Sequence, residues 1–141
     1  MLTLRTPFSA LTAAELMSHT IVTIPEGMTL RAAAQLLRAE GIGGAPVVDA
    51  KGRCVGILTA SDFLALWGQD ANRANEEVGL HMTTDPVTAP PSTSITDLAR
   101  MMIDAHIHRV VVVDAERRPL GVVSSTNILA AVAYKKWLRR I

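Results

Sequence analysis

Three polar side chains, Thr59, Ser61 and Asp62, close the stretch VGILTASDF, where an apolar run gives way to a helix-like pattern. Their types allow two kinds of chemistry. A carboxylate accepts hydrogen bonds from two neighbouring hydroxyls, and such charge-assisted bonds contribute roughly 1.5–3 kcal/mol each. Backbone N–H groups at the start of the following helix can receive an anion. The same residues also have capping-box spacing, Thr59-x-x-Asp62, and an acid in the first turn suits the helix dipole with no ligand present. On these residues alone both roles stay open.

A second stretch, IHRVVVVD, places His108 and Arg109 ahead of a run of four valines. A guanidinium is shaped for forked contact with phosphate oxygens. An imidazole there acts as a donor whose charge varies near neutral pH. Solvated side chains at a strand end read equally well. On a strand His106 and His108 would share one face, but a metal site would need another ligand such as His81, and metal binding is not expected. The basic tail KKWLRRI is read as a solvated helix end rather than a lipid-binding segment.

Composition narrows the function classes. The chain has 141 residues, 49% hydrophobic and 19% charged, which is globular. A formal net charge of +1 and 4% aromatics disfavour nucleic acid and membrane as partners. Cys54 is the only cysteine, so no internal disulfide forms. There is no P-loop, GxGxxG or HExxH, and no nucleophile–base–acid set, so no enzyme is expected. The N-terminus lacks a basic head followed by a long apolar run, so the expectation is a cytoplasmic protein without a signal peptide.

The elements that must carry these residues occur twice. Residues 41–63 align without a gap over 106–128, and the same offset of 65 pairs Met17 with Met82 and Gly56 with Gly121. Each copy reads as a short helix ending at Met17 or Met82, with Thr12 and Glu15 spaced as a capping box before the first. A brief strand follows at about Val22–Ile24 or Val87–Ala89. Thr29 or Ser94 then caps a helix. Its apolar positions are Leu30, Ala33, Ala34 and Leu37, ended by Gly41, or Ile95, Leu98, Ala99, Met102 and Ile103. Two strands follow, Pro46–Val48 with Val55–Leu58, or Val110–Val113 with Leu120–Val123. The valine run predicts burial on both faces. A closing helix is expected after Asp62 or Asn127. Residues 1–67 form repeat one with an N-terminal extension, 68–77 a linker, and 78–141 repeat two. One copy has too little core to stand alone, so the two should pack as one pseudo-twofold α+β unit.

LMSHTIVTI, TLRAAAQLL, GIGGAPVVDAKGRCVGILTASDF and their second-copy partners together resemble a tandem pair of cystathionine β-synthase (CBS) domains, a Bateman module. The resemblance runs from about Ala14 to Ile128. It implies a regulatory sensor that binds AMP, ADP, ATP or S-adenosylmethionine in a cleft between repeats. It also implies no catalysis, assembly as a homodimer, and a regulated partner protein whose identity stays unknown.

Carried over residue by residue, the family's G-h-x-T-x-x-D stretch falls on Gly56, Thr59 and Asp62, with the hydroxyl toward phosphate and the carboxylate toward the ribose diol. Copy two departs from it: GVVSSTN puts Ser124 and Asn127 in those places. Asn127 keeps a carbonyl acceptor but lacks the charge, so unequal sites are expected, with the stronger at Asp62. His108 and Arg109 resemble the His-Arg pair of the γ subunit of AMP-activated protein kinase and would reach phosphate, whereas copy one has Gly43 and Gly44 there. The resemblance places Thr23, Ile24, Ala45 and Pro46 around the base, with Thr88, Val110 and Val111 as second-copy counterparts. The competing reading is a ligand-independent scaffold with a vestigial cleft and Asp62 as a plain cap.

Overall fold

Thr29 and Ser94 each start a helix in the way their spacing predicts. In the computed structural model, which describes residues 10–18, 21–67 and 71–134, the Thr29 hydroxyl accepts from the Ala32 N–H at 3.1 Å and opens α2, Leu30–Glu40. Ser94 does the same for the Asp97 N–H at 3.1 Å and opens α4, Ile95–Ala105. Leu30, Ala33 and Leu37 are buried on α2, and Ile95, Leu98 and Met102 on α4. Ala34 and Ile103 were expected on those faces but are exposed, Ile103 by 71%. At 3.6 residues per turn Ile103 lies about 80° around the helix from Ile95, past the covered stripe. Gly41 ends α2 in the left-handed region at φ 66°. His106 holds the same place after α4 at φ 55°, without glycine's freedom.

The remaining elements, in chain order, are α1 (Ala13–Leu16), β1 (Ile24–Pro25), β2 (Gly44–Val48), β3 (Cys54–Thr59), α3 (Ala60–Trp67), β4 (Thr83–Thr84), β5 (Thr88–Ala89), β6 (Arg109–Val113), β7 (Pro119–Ser124) and α5 (Ser125–Tyr134). The Glu15 carboxylate accepts from the Thr12 N–H at 2.9 Å, the capping-box contact expected ahead of Met17. The helix expected before Met82 is only a 3-10 turn, Val78–Leu80. The closing helices begin at Ala60 and Ser125, three residues earlier than expected, so Asp62 and Asn127 lie in their first turns. The tail 135–141 lies outside the described residues.

These elements make two compact units that do not follow the two halves of the sequence. The Asp62 unit combines Val22–Pro86 with Glu116–Pro119. Its sheet runs β1-β2-β3-β4. β1 pairs parallel with β2 from Ile24↔Val47, and β2 pairs antiparallel with β3 through Gly44↔Thr59, Ala45↔Leu58 and Pro46↔Ile57. Pro46 precedes the point where β1 joins, so its missing N–H leaves no gap in that ladder. Residues 71–77, read as linker, carry a 3-10 helix at Ala71–Asn75, and the Glu76 carbonyl accepts from the Leu30 N–H at 2.9 Å. Residues 68–70 lie outside the described residues.

The Asn127 unit combines the chain up to Ile21 with Val87–Ala115 and the chain from Leu120. Its sheet runs β5-β6-β7. Val110, Val111 and Val112 are wholly buried, as the valine run predicts. Leu11, Ala13 and Leu16 join Ile95, Leu98 and Val112 in its core. Each sheet is therefore completed by the leading segment of the other copy. In the Asp62 unit, β4 pairs with β3 through Gly56↔Thr84, and the Met82 side chain lies against Gly56. In the Asn127 unit, the Ser18 N–H donates to the Val122 carbonyl at 3.2 Å, and Met17 lies against Gly121.

Candidate functional site

The strand-to-helix corner is the same in both units and differs in what it presents. In the Asp62 unit, β3 ends at Thr59 and α3 begins at Ala60, whose N–H donates to the Gly43 carbonyl at 2.9 Å. Asp62 Oδ2 accepts from the Thr59 N–H at 2.8 Å and from the Thr59 hydroxyl at 3.3 Å. This is the return half of a capping box, so the structural role read at Asp62 is present. Asp62 Oδ1 faces the Thr83 hydroxyl at 3.4 Å. Thr83, on β4, is absent from the sequence-derived candidates. The repeat offset gives a signal for it, since Thr83 aligns with Ser18, a hydroxyl in both copies. Ser61 is exposed on the first turn of α3, and Asp62 is half-buried.

In the Asn127 unit, the Ser125 N–H donates to the His108 carbonyl at 2.8 Å, which is the equivalent corner. Asn127 Oδ1 accepts from the Ser124 N–H at 2.8 Å and the Ser124 hydroxyl at 3.0 Å, and the Asn127 N–H donates back to Ser124 Oγ at 3.1 Å. This is a complete capping box. The carbonyl acceptor expected to be available on Asn127 is already occupied by Ser124. His108 is exposed just ahead of β6, and Arg109, its first residue, is half-buried.

Gly44 and Arg109 are repeat counterparts and face different neighbours. A Cβ placed on Gly44 would meet Thr59 Cγ2 at 2.9 Å, the Leu58 carbonyl oxygen at 3.1 Å and Thr59 Cα at 3.3 Å. The methyl of Thr59 thus fills space that a side chain at residue 44 would need. At the second corner the residue is Ser124, which has no such methyl, and Arg109 is accommodated.

The residues expected around the base divide between the units. Thr23 is half-buried just ahead of β1, Ile24 is buried in β1, and Ala45 and Pro46 are buried in β2, all in the Asp62 unit. Thr88, half-buried in β5, pairs with Val111, and Val110 and Val111 are buried in β6 of the Asn127 unit. Their apolar side chains are core. Among the described residues, no group of three or more His, Cys, Asp or Glu side chains is placed to hold a metal ion. No helix among them is long and apolar enough to cross a membrane.

Two α+β units with capped strand-to-helix corners, repeated along one chain, match a known architecture. The CBS domain family model covers residues 13–67 and 76–134, and the chain belongs to that family. Its fold matches the CBS domain pair of protein MJ0100, solved with 5′-methylthioadenosine and S-adenosyl-L-methionine. That match has a TM-score of 0.82 and 28% identity, over 90% of this chain and 99% of that one. It also matches CBSX2 solved with AMP, with a TM-score of 0.77 and 26% identity, over 89% of this chain and 98% of that one. Protein MJ1225 of Methanocaldococcus jannaschii is 27% identical over 82% of this chain and 40% of its own length. The chain spans less than half the length of the curated relatives it matches.

Proposed function

We propose that this chain is a regulatory sensor that binds an adenosine-containing ligand, one of AMP, ADP, ATP or S-adenosylmethionine, and signals its presence to a partner protein. Asp62 receives the ribose hydroxyls, Thr59 and Ser61 lie toward the phosphate or its substituent, and Arg109 and His108 supply positive charge or donors to phosphate. Thr23, Ile24, Ala45 and Pro46, with Thr88, Val110 and Val111, bound the base. The chain acts as a homodimer and catalyses no reaction on the ligand. Binding shifts a conformational balance only by its differential affinity for the two forms. The observation that carries this reading is the Asp62 carboxylate, held at the head of α3 by Thr59 with its second oxygen facing the Thr83 hydroxyl at 3.4 Å. Relatives solved with adenosine compounds support it.

A scaffold reading rests on the same carboxylate, because the cap alone accounts for one of its oxygens. Asp62→Asn separates the two. Asn127 makes the corresponding cap in the other unit, so the variant keeps the helix start. Calorimetric titration with AMP, ADP, ATP and S-adenosylmethionine should show binding of at least one to the wild type. Asp62→Asn should weaken it about tenfold to a hundredfold, the loss of about one charge-assisted bond. Binding unaffected by the substitution, or no binding of any of the four, leaves the scaffold.

A further inference from the structure

In both units the crossing segment rests on the sheet through the same pair of residues, a methionine sulfur on a glycine. A Cβ placed on Gly121 would meet Met17 Sδ at 2.7 Å and the Ser18 carbonyl oxygen at 2.9 Å. One placed on Gly56 would meet Met82 Sδ first, then the Thr83 carbonyl oxygen at 2.8 Å. Met17 also packs against the core of the Asn127 unit, and Met82 against that of the Asp62 unit. Of the chain's six methionines, only these two stand in equivalent places at the offset of 65. Both are half-buried, whereas Met102 is 6% exposed. The backbone adds little beside them. β4 has two residues, and beyond α1 the Ser18 N–H donates to the Val122 carbonyl at 3.2 Å. Stretches held by so few hydrogen bonds open at low free-energy cost, so the methionine contact governs how firmly each is seated.

We propose that Met17 and Met82 are paired oxidation sites: a peroxide converts each thioether to a sulfoxide, which releases residues 17–18 from β7 and residues 82–84 from β3. Hydrogen peroxide gives one oxygen atom to the sulfur. The S–O bond forms as the O–O bond breaks, the sulfur gives up two electrons, and the second oxygen leaves as water with both protons. The product turns a flexible apolar side chain into a polar one. Its new acceptor oxygen is attached to a sulfur wedged between a glycine, a carbonyl oxygen and an apolar core, where an unmatched polar group is costly. Seating the thioether and seating the sulfoxide are therefore opposed, in both units alike. This inference is independent of whether the Asp62 corner takes an adenosine ligand.

The test treats the whole chain with hydrogen peroxide, maps the added oxygen by peptide mass spectrometry, and follows amide hydrogen exchange. Met17 and Met82 should each gain one oxygen ahead of Met102. Exchange at the Ser18 N–H and in β4 should then speed up about tenfold or more, and treatment with methionine sulfoxide reductases should restore it. The double variant Met17→Leu, Met82→Leu keeps the side-chain volume without the sulfur. Its exchange at both places should not respond to peroxide, although Met28 and Met101 remain. Each single variant should lose the response on its own side alone, and the wild-type measurement stands if a variant does not fold. Sulfoxide at Met17 and Met82 with unchanged exchange overturns the proposal. So does oxidation of Met102 as fast as either, a faster exchange that reduction does not reverse, or an equal response in the folded double variant.

Discussion

Cys54 shows how far burial alone decides the behaviour of a side chain. It is 2% exposed in β3, and its thiol donates to the Gly56 carbonyl at 3.5 Å. Burial pushes its pKa up, against the smaller opposing effects of that hydrogen bond and of Arg117. Both the closed packing and the scarcity of thiolate oppose reaction. Labelling with a disulfide reagent at pH 8 should be on the order of a hundredfold slower in the native protein than in denaturant, because it waits for local opening. Labelling at the denatured rate would contradict the burial of β3. The candidate corners are legible at this scale in type and spacing, but not in allegiance. Thr59-x-x-Asp62 spells a cap and a ligand corner with the same letters. Only coordinates show which carboxylate oxygen the cap takes, or that Asn127 has no acceptor left over.

Helices and strands follow their local signals closely, and the departures have physical causes. Hydroxyls at Thr29 and Ser94, glycine at Gly41 and the valine run all act within a few residues, so the sequence displays them. Ala34 and Ile103 sit on the flank of an apolar stripe, and which flank is covered depends on the sheet beneath. The Gly44–Thr59 contact is likewise cross-strand. Gly44→Ala should destabilise the protein by about 1–3 kcal/mol through the clash with the Thr59 methyl. Adding Thr59→Ser should recover part of that loss, because the carbonyl of Leu58 stays close. Denaturant midpoints of the two single variants and the double variant give the coupling, and strict additivity would rule the methyl out as the obstacle.

Connectivity is where sequence reading stops short for the molecule as a whole. The repeat offset reveals that two copies exist, but likeness between copies does not say which sheet each leading segment completes. The Met17 segment lies on Gly121 and the Met82 segment on Gly56, and the turn at Glu116–Pro119 accompanies the Asp62 unit, where the Arg117 carbonyl accepts from the Cys54 N–H at 2.8 Å. Residues 76–134 expressed alone therefore lack the Leu11, Ala13 and Leu16 contribution to the Asn127-unit core. That fragment should be a dimer or largely unfolded by sedimentation and circular dichroism. A stable, folded monomer would argue against the crossed arrangement.

The crossing also bears on ancestry. A gene encoding a single copy would make a polypeptide whose first segment had no vacant sheet edge of the crossed kind within its own molecule. Such a precursor could be completed in this way only by trading that segment with an identical twin. Joining two such genes end to end would then have written an intermolecular bargain into one polypeptide.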